Sequence, residues 1–189
     1  MSQASKAFVA DPKAFMKKSI LVITNFNLPN DSKERSFDLV AAGDGLSAGG
    51  AAIPVYRLQV ADKGSTDPID AYWLAFVSGK IESHILDTSR KIFLTAGLTG
   101  CGFAAGSGPT PIVKHIDGDA YRDDEIIDSP ANAGMDIYTA ANYGSDKGWG
   151  QATVFGVKNA TGWEFWAQAR VLIKDQKFQL RFADGIMPV

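Results

Sequence analysis

The 189-residue chain carries a formal net charge of −2, with 46% hydrophobic and 21% charged residues. These values describe one ordinary globular domain spanning residues 1–189, and the charge argues against non-specific nucleic-acid binding as the main activity. A single cysteine excludes an internal disulfide and a cysteine-built zinc site, and no apolar run reaches membrane-spanning length.

Met1–Lys6 lacks an apolar stretch followed by a small-residue cleavage site, so no classical signal peptide is expected. Asp11-Pro12 reads as a helix start, with Asp as N-cap and Pro at the first helical position. Ser19–Phe26 predicts a strand, Leu28–Arg35 a polar loop, and Ser36–Ala42 a strand with Phe37, Leu39 and Ala41 on one face. Gly43–Gly50 is glycine-rich, but its spacing matches no nucleotide-binding loop and no Gly-Lys-Ser/Thr follows, so a hairpin connection is expected. Strands are predicted at Ile53–Val60, Glu82–Leu86, Lys91–Gly97 and Ile112–His115, while Pro68–Val77 fits a short helix or a buried strand.

Asp117–Asp128 is acidic and predicts a solvated loop; Tyr121 and Arg122 stand where a calcium loop needs an oxygen ligand and glycine. Met135–Ala141 and Gln151–Val157 predict strands. Trp163–Ile173 and Phe178–Phe182 alternate cleanly across Asp175-Gln176, predicting an antiparallel hairpin with Glu164, Gln168 and Arg170 on a wet face. The expected fold class is α+β: a mostly antiparallel or mixed β-sandwich edged by a few helices.

The chemistry concentrates between Lys91 and Asp117, in the order strand, turn with Cys101, Gly/Pro/Ser loop, strand with His115. A thiol becomes a nucleophile when a neighbouring imidazole takes its proton or stabilises the thiolate. Gly100 and Gly102 permit a sharp turn and leave backbone N–H groups open to a substrate oxyanion. A lone cysteine is also commonly a small buried hydrophobe, and that reading stands beside the catalytic one.

Thr95-Ala96-Gly97-Leu98-Thr99-Gly100-Cys101 resembles the Leu-Ser-Gly-Cys signature of bacterial toxin glutamine deamidases, with Thr99 in place of Ser. The resemblance is to the Burkholderia lethal factor type and, more distantly, to the cytotoxic necrotizing factor catalytic domain and the chemotaxis deamidase CheD. It extends through Phe103–Gly106, Gly108-Pro109 and His115-Ile116-Asp117, and to a second block at Tyr143-Gly144-Ser145-Asp146 and Gly148-Trp149-Gly150-Gln151-Ala152. It covers about residues 90–117 and 143–157.

The resemblance implies a β-sandwich edged by helices and a protein-glutamine deamidase with Cys101 as nucleophile, His115 as base and Thr95 orienting the imidazole. Tyr143 and Thr99 are then expected near the substrate, with no cofactor and no metal. It further implies a monomeric toxin that acts on a host protein, a translation factor or a small GTPase. Such a toxin is held in the bacterial cytoplasm and delivered into a host cell, with neither nucleic acid nor membrane as direct partner. A cysteine protease or transglutaminase uses the same Cys–His pair. A non-catalytic binding module presenting Trp149, Trp163 and Trp166 remains the alternative of another class.

Overall fold

The computed structural model describes residues 2–24, 28–144, 150–173 and 177–189. Two short helices, α1 (Gln3–Ala10) and α2 (Pro12–Lys18), open the chain. The predicted start of α2 holds: Asp11 accepts the Ala14 N–H through its carboxylate, and Pro12 occupies the first turn, where its missing donor costs nothing. The remainder is strand: β1 (Ile20–Val22), β2 (Lys33–Leu46), β3 (Ala52–Val60), β4 (Ile69–Leu74), β5 (Ile81–Ile85), β6 (Ile92–Thr95), β7 (Gly102–Ala105), β8 (Ile112–Ile116), β9 (Asp136–Tyr138), β10 (Gly150–Lys158), β11 (Trp163–Leu172), β12 (Phe178–Leu180) and β13 (Met187–Pro188). Two further helices, α3 (Asp123–Ile127) and α4 (Ala140–Tyr143), flank β9. No helix among the described residues is long and apolar enough to cross a membrane.

The architecture is mostly β, a closed mixed barrel backed by a separate sheet, not the expected α+β sandwich. Strands β2, β12, β11, β10, β6 and β4 form a ring, closed because β2 pairs with both β4 and β12. Strands β1, β3 and β13 extend this sheet, and β5, β8, β7 and β9 form a separate sheet. Three pairings are parallel: β1 with β3, β4 with β6, and β12 with β2.

The physical cause lies in β2, which is far longer than the predicted Ser36–Ala42. Lys33–Phe37 pairs with β4, Phe37–Leu46 pairs with β3 across a register shift between Ala41 and Asp44, and Leu46 meets Gln179 of β12. Gly45, expected in a hairpin loop, is a strand glycine. A Cβ there would stand 2.6 Å from Ile20 Cδ1 and 2.7 Å from the Phe178 carbonyl oxygen, so only glycine lets β12 come in and close the ring.

Two cores result. One joins Phe8 and Met16 of the helices to Phe37, Trp73, Leu94 and Phe155. The other lies between the barrel wall and the second sheet, where Tyr72, Leu74, Phe93 and Val154 meet Phe103, Ala105 and Val113. Strand β6 sends Ile92 and Leu94 into the first core and Phe93 into the second, which is why its sequence is an unbroken apolar run.

The predicted wet face of β11 is also corrected. Gln168 and Arg170 are buried, and the predicted Asp175-Gln176 turn lies outside the described residues. Gln168 accepts the Leu21 N–H and donates to the Met16 and Ser19 carbonyls at 2.6 and 2.8 Å. Arg170 donates to the Leu21 carbonyl and the Thr153 hydroxyl. Pro68–Val77 resolves as strand β4, and the predicted Met135–Ala141 strand is split into β9 and α4. The Asn25–Phe26 end of the first predicted strand lies outside the described residues.

Candidate active site

Thr95 ends β6 two residues after Phe93, so it emerges on the barrel face that looks at the second sheet. Across that gap stands β8. Its register pairs His115 with Phe103 and Val113 with Ala105, and Phe103, Ala105 and Val113 all point into the second core. His115 therefore points the same way. Cys101 precedes Phe103 by two positions and packs into the same core. Thiol and imidazole thus both face the second core, with Cys101 one residue before the β7–β8 register begins at Gly102–Ile116. No hydrogen bond joins the sulfur to the ring.

The imidazole is fully enclosed and held in one orientation. Thr95 Oγ1 donates its proton to the Leu74 carbonyl at 3.1 Å, so toward His115 Nδ1, 2.9 Å away, it acts as acceptor. His115 thereby carries its proton on Nδ1. Nε2 is left bare, buried and without a hydrogen-bond partner. Burial pulls the His115 pKa down to about 4, opposed by the charge of Asp117, so the ring is a neutral base at physiological pH. Phe76 packs against the ring with centroids 5.5 Å apart.

Cys101 is 6% exposed. Burial raises its thiol pKa, the Gly118 and Thr99 amides that hydrogen-bond the sulfur lower it, and the charges of Asp117 and Asp119 raise it further. The resting pair is consequently neutral thiol and neutral imidazole, with amide donors already in place for a developing thiolate.

Gly100 supplies the turn with φ of +87°, a conformation that glycine adopts freely. Gly102 is different: it lies in β7, where a Cβ would press on Ile126 Cδ1 at 3.0 Å. The Thr99 side chain is exposed at the rim of the turn. Tyr143 is fully buried, stacks on Tyr138, and donates its hydroxyl to the Cys101 carbonyl at 2.8 Å. Through this bond it braces the Cys101 backbone. Arg181 in turn donates to the Tyr143 carbonyl. The second matching block also attaches here, since Leu98 and Ala152 exchange backbone hydrogen bonds of 2.8 and 2.9 Å. Ser145, Asp146, Gly148 and Trp149 of that block lie outside the described residues.

Two site residues escaped sequence reasoning. Asp117, read as part of a solvated loop, is buried and accepts N–H bonds from Gly79 at 2.6 Å and Asp119 at 3.1 Å. Gly118 packs backbone to backbone, and a Cβ on it would overlap the Gly100 carbonyl oxygen. The Asp-Gly dipeptide directly after the His115 strand was the available signal. Among the described residues no group of three or more His, Cys, Asp or Glu is placed to hold a metal ion. No protein-family model matches the chain, and no curated protein matches it.

Proposed function

We propose that this chain is a cysteine-dependent protein-glutamine deamidase. The observation that carries the reading is the Thr95–His115 hydrogen bond, which leaves Nε2 bare and unpartnered on the sheet face that also carries Cys101. The sequence resemblance to toxin deamidases supports the same reading, with a folded host protein such as a translation factor or small GTPase as substrate.

In the proposed cycle His115 Nε2 takes the Cys101 proton as the sulfur attacks the side-chain amide carbon. The resulting oxyanion is met by backbone N–H groups at Gly100–Gly102. Collapse breaks the C–N bond, the imidazolium protonates the departing nitrogen, and ammonia leaves. Nε2 then deprotonates water, which attacks the thioester. The C–S bond breaks, the thiol is re-formed, and glutamate remains on an intact chain.

The test is intact-mass and peptide-mass comparison of host-cell lysate proteins treated with wild type and with Cys101→Ser, alongside ammonia release from free glutamine. The expected result is amide-to-acid conversion at a specific glutamine, absent with the serine variant. Equal activity of Cys101→Ser, or preference for free glutamine, overturns the proposal. Cleaved backbones would make it a protease, and amine-linked products a transglutaminase.

The 6% exposure and raised pKa of Cys101 favour a second reading, a structural thiol in a non-catalytic module. Iodoacetamide discriminates: labelling of the one cysteine that abolishes turnover supports the enzyme, and inertness supports the module.

A further inference from the structure

Strand β5, Ile81-Glu82-Ser83-His84-Ile85, is the outer strand of the second sheet and pairs only with β8. Its hydrogen-bonding phase follows from the flanking bonds. Leu86 N–H donates to the Pro111 carbonyl, and Asp117 N–H donates to the Lys80 carbonyl. Even-numbered residues therefore face β8, and the N–H and C=O groups of Ile81, Ser83 and Ile85 point outward from the free edge.

The side chains divide just as regularly. His84 packs against Tyr72 of the barrel with the rings tilted by 53°, so Glu82 and His84 lie on the inner face. Ile81, Ser83 and Ile85 lie on the outer face. There Ile81 and Ile85 are 39% and 60% exposed, and Ile112, paired with Ile85, is 46% exposed. An edge strand bearing exposed isoleucines, with no proline, lysine or bulge, is open to pairing.

The five residues are also complementary to themselves when reversed. We propose that the free edge of β5 is a homodimer interface, at which two copies join their second sheets by antiparallel β5–β5 pairing about a two-fold axis through Ser83. In that register Ser83 faces Ser83 of the other copy, Ile81 faces Ile85, and Glu82 faces His84. The outward backbone groups of Ile81, Ser83 and Ile85 each meet their counterparts, so the phase of the free edge is the one a two-fold at Ser83 requires. On the outer face the rows Ile112–Ile85 and Ile81–Ile116 continue into those of the second copy, forming uninterrupted isoleucine rows.

The inner face sets the register. A slip by two residues brings Glu82 opposite Glu82, so that like carboxylates oppose, or His84 opposite His84, so that the carboxylate–imidazole pairing is lost. A second copy is favoured over an unrelated strand because both the Glu82–His84 pairing and the isoleucine pairs are satisfied by this sequence itself.

Sedimentation of the full chain across a wide concentration range tests the proposal, together with three variants. Ser83→Pro removes only an outward donor, which the fold does not use, and proline is tolerated on such an edge. It is expected to weaken self-association by roughly tenfold or more while leaving the circular dichroism spectrum unchanged. Ile85→Lys, at the most exposed of the three isoleucines, is expected to act in the same direction and keeps the test decisive should the proline variant misfold. In a Cys101→Ser background, Ser83→Cys is expected to form a reducible cross-linked dimer, because directly opposed hydrogen-bonded residues have Cα atoms about 5.5 Å apart. A wild type that stays monomeric throughout, dimers untouched by Ser83→Pro and Ile85→Lys, or dimers that fail to cross-link at position 83 would overturn it. So would a monomer whose β5 edge binds only an unrelated extended peptide.

Discussion

The Thr95 hydroxyl is committed in two directions, to the Leu74 carbonyl and to His115 Nδ1. Thr95→Val keeps the shape and leaves His115 Nδ1 unpaired, while the Leu74 carbonyl retains only the Ala96 N–H. It is expected to cost about 1–3 kcal/mol of stability by urea denaturation and roughly 10–100-fold in turnover, because the ring loses its fixed tautomer. His115 also makes stability depend on pH. Its folded pKa of about 4 lies below the unfolded value near 6.5, so below that value the unfolded chain binds a proton that the folded chain refuses. Stability should therefore fall as pH drops from about 6.5 to about 4 and then level, by on the order of 3 kcal/mol. Burial lowers the His84 pKa as well, so the informative measurement is the difference between wild type and His115→Gln across that range, with the variant losing its share of the slope. Cys101 and His115 stand out in the sequence as the one cysteine and one of two histidines at short spacing, whereas Thr95 is picked out only by the resemblance. Asp117 and Gly118 were not legible there. An aspartate takes its meaning from the amides that happen to surround it, and the Gly118–Gly100 approach is made by backbone alone.

Among the elements, strand β11 was placed well and interpreted wrongly. Its alternation correctly announced a strand, yet period two cannot tell a wet polar face from a polar face that another element covers. Gln168 and Arg170 hold β1 and the end of α2 by their backbones, and Arg170 retains an unpartnered Nε with its pKa drawn down to about 10 by burial. Gln168→Leu is expected to strand the Leu21 N–H and two carbonyls and to destabilise the protein by about 2–4 kcal/mol. Limited proteolysis should show the first cuts moving to the segment before residue 24, since that segment loses its anchor. Glycine misled in the opposite direction. Gly43–Gly50 looked like a connection because glycine weakens strands; its second half, Ser47–Gly50, is the turn that joins β2 to β3, and only the approach of Ile20 and Phe178 reveals why Gly45 belongs inside β2.

For the molecule as a whole, a sandwich and a barrel wall backed by a second sheet present the same sequence pattern, because both bury strands on two faces. Their difference rests on β2, which pairs with β4 at one end and, through the parallel pairing of Leu46 with Gln179, with β12 at the other, joining residues far apart in the sequence. Pairings of such long sequence separation form late, and refolding is expected in the slow range of β-rich domains, milliseconds to seconds or longer, by stopped-flow fluorescence. Cys101, His115 and Thr95 are all synthesised well before β12, on segments that the barrel wall must support. A nascent chain halted at residue 177 would carry the whole chemical constellation on an unclosed ring. It should be protease-sensitive and inert, and release of the remaining residues should confer resistance. The order of synthesis thus imposes an interval during which Cys101, His115 and Thr95 exist but the enclosure that positions them does not.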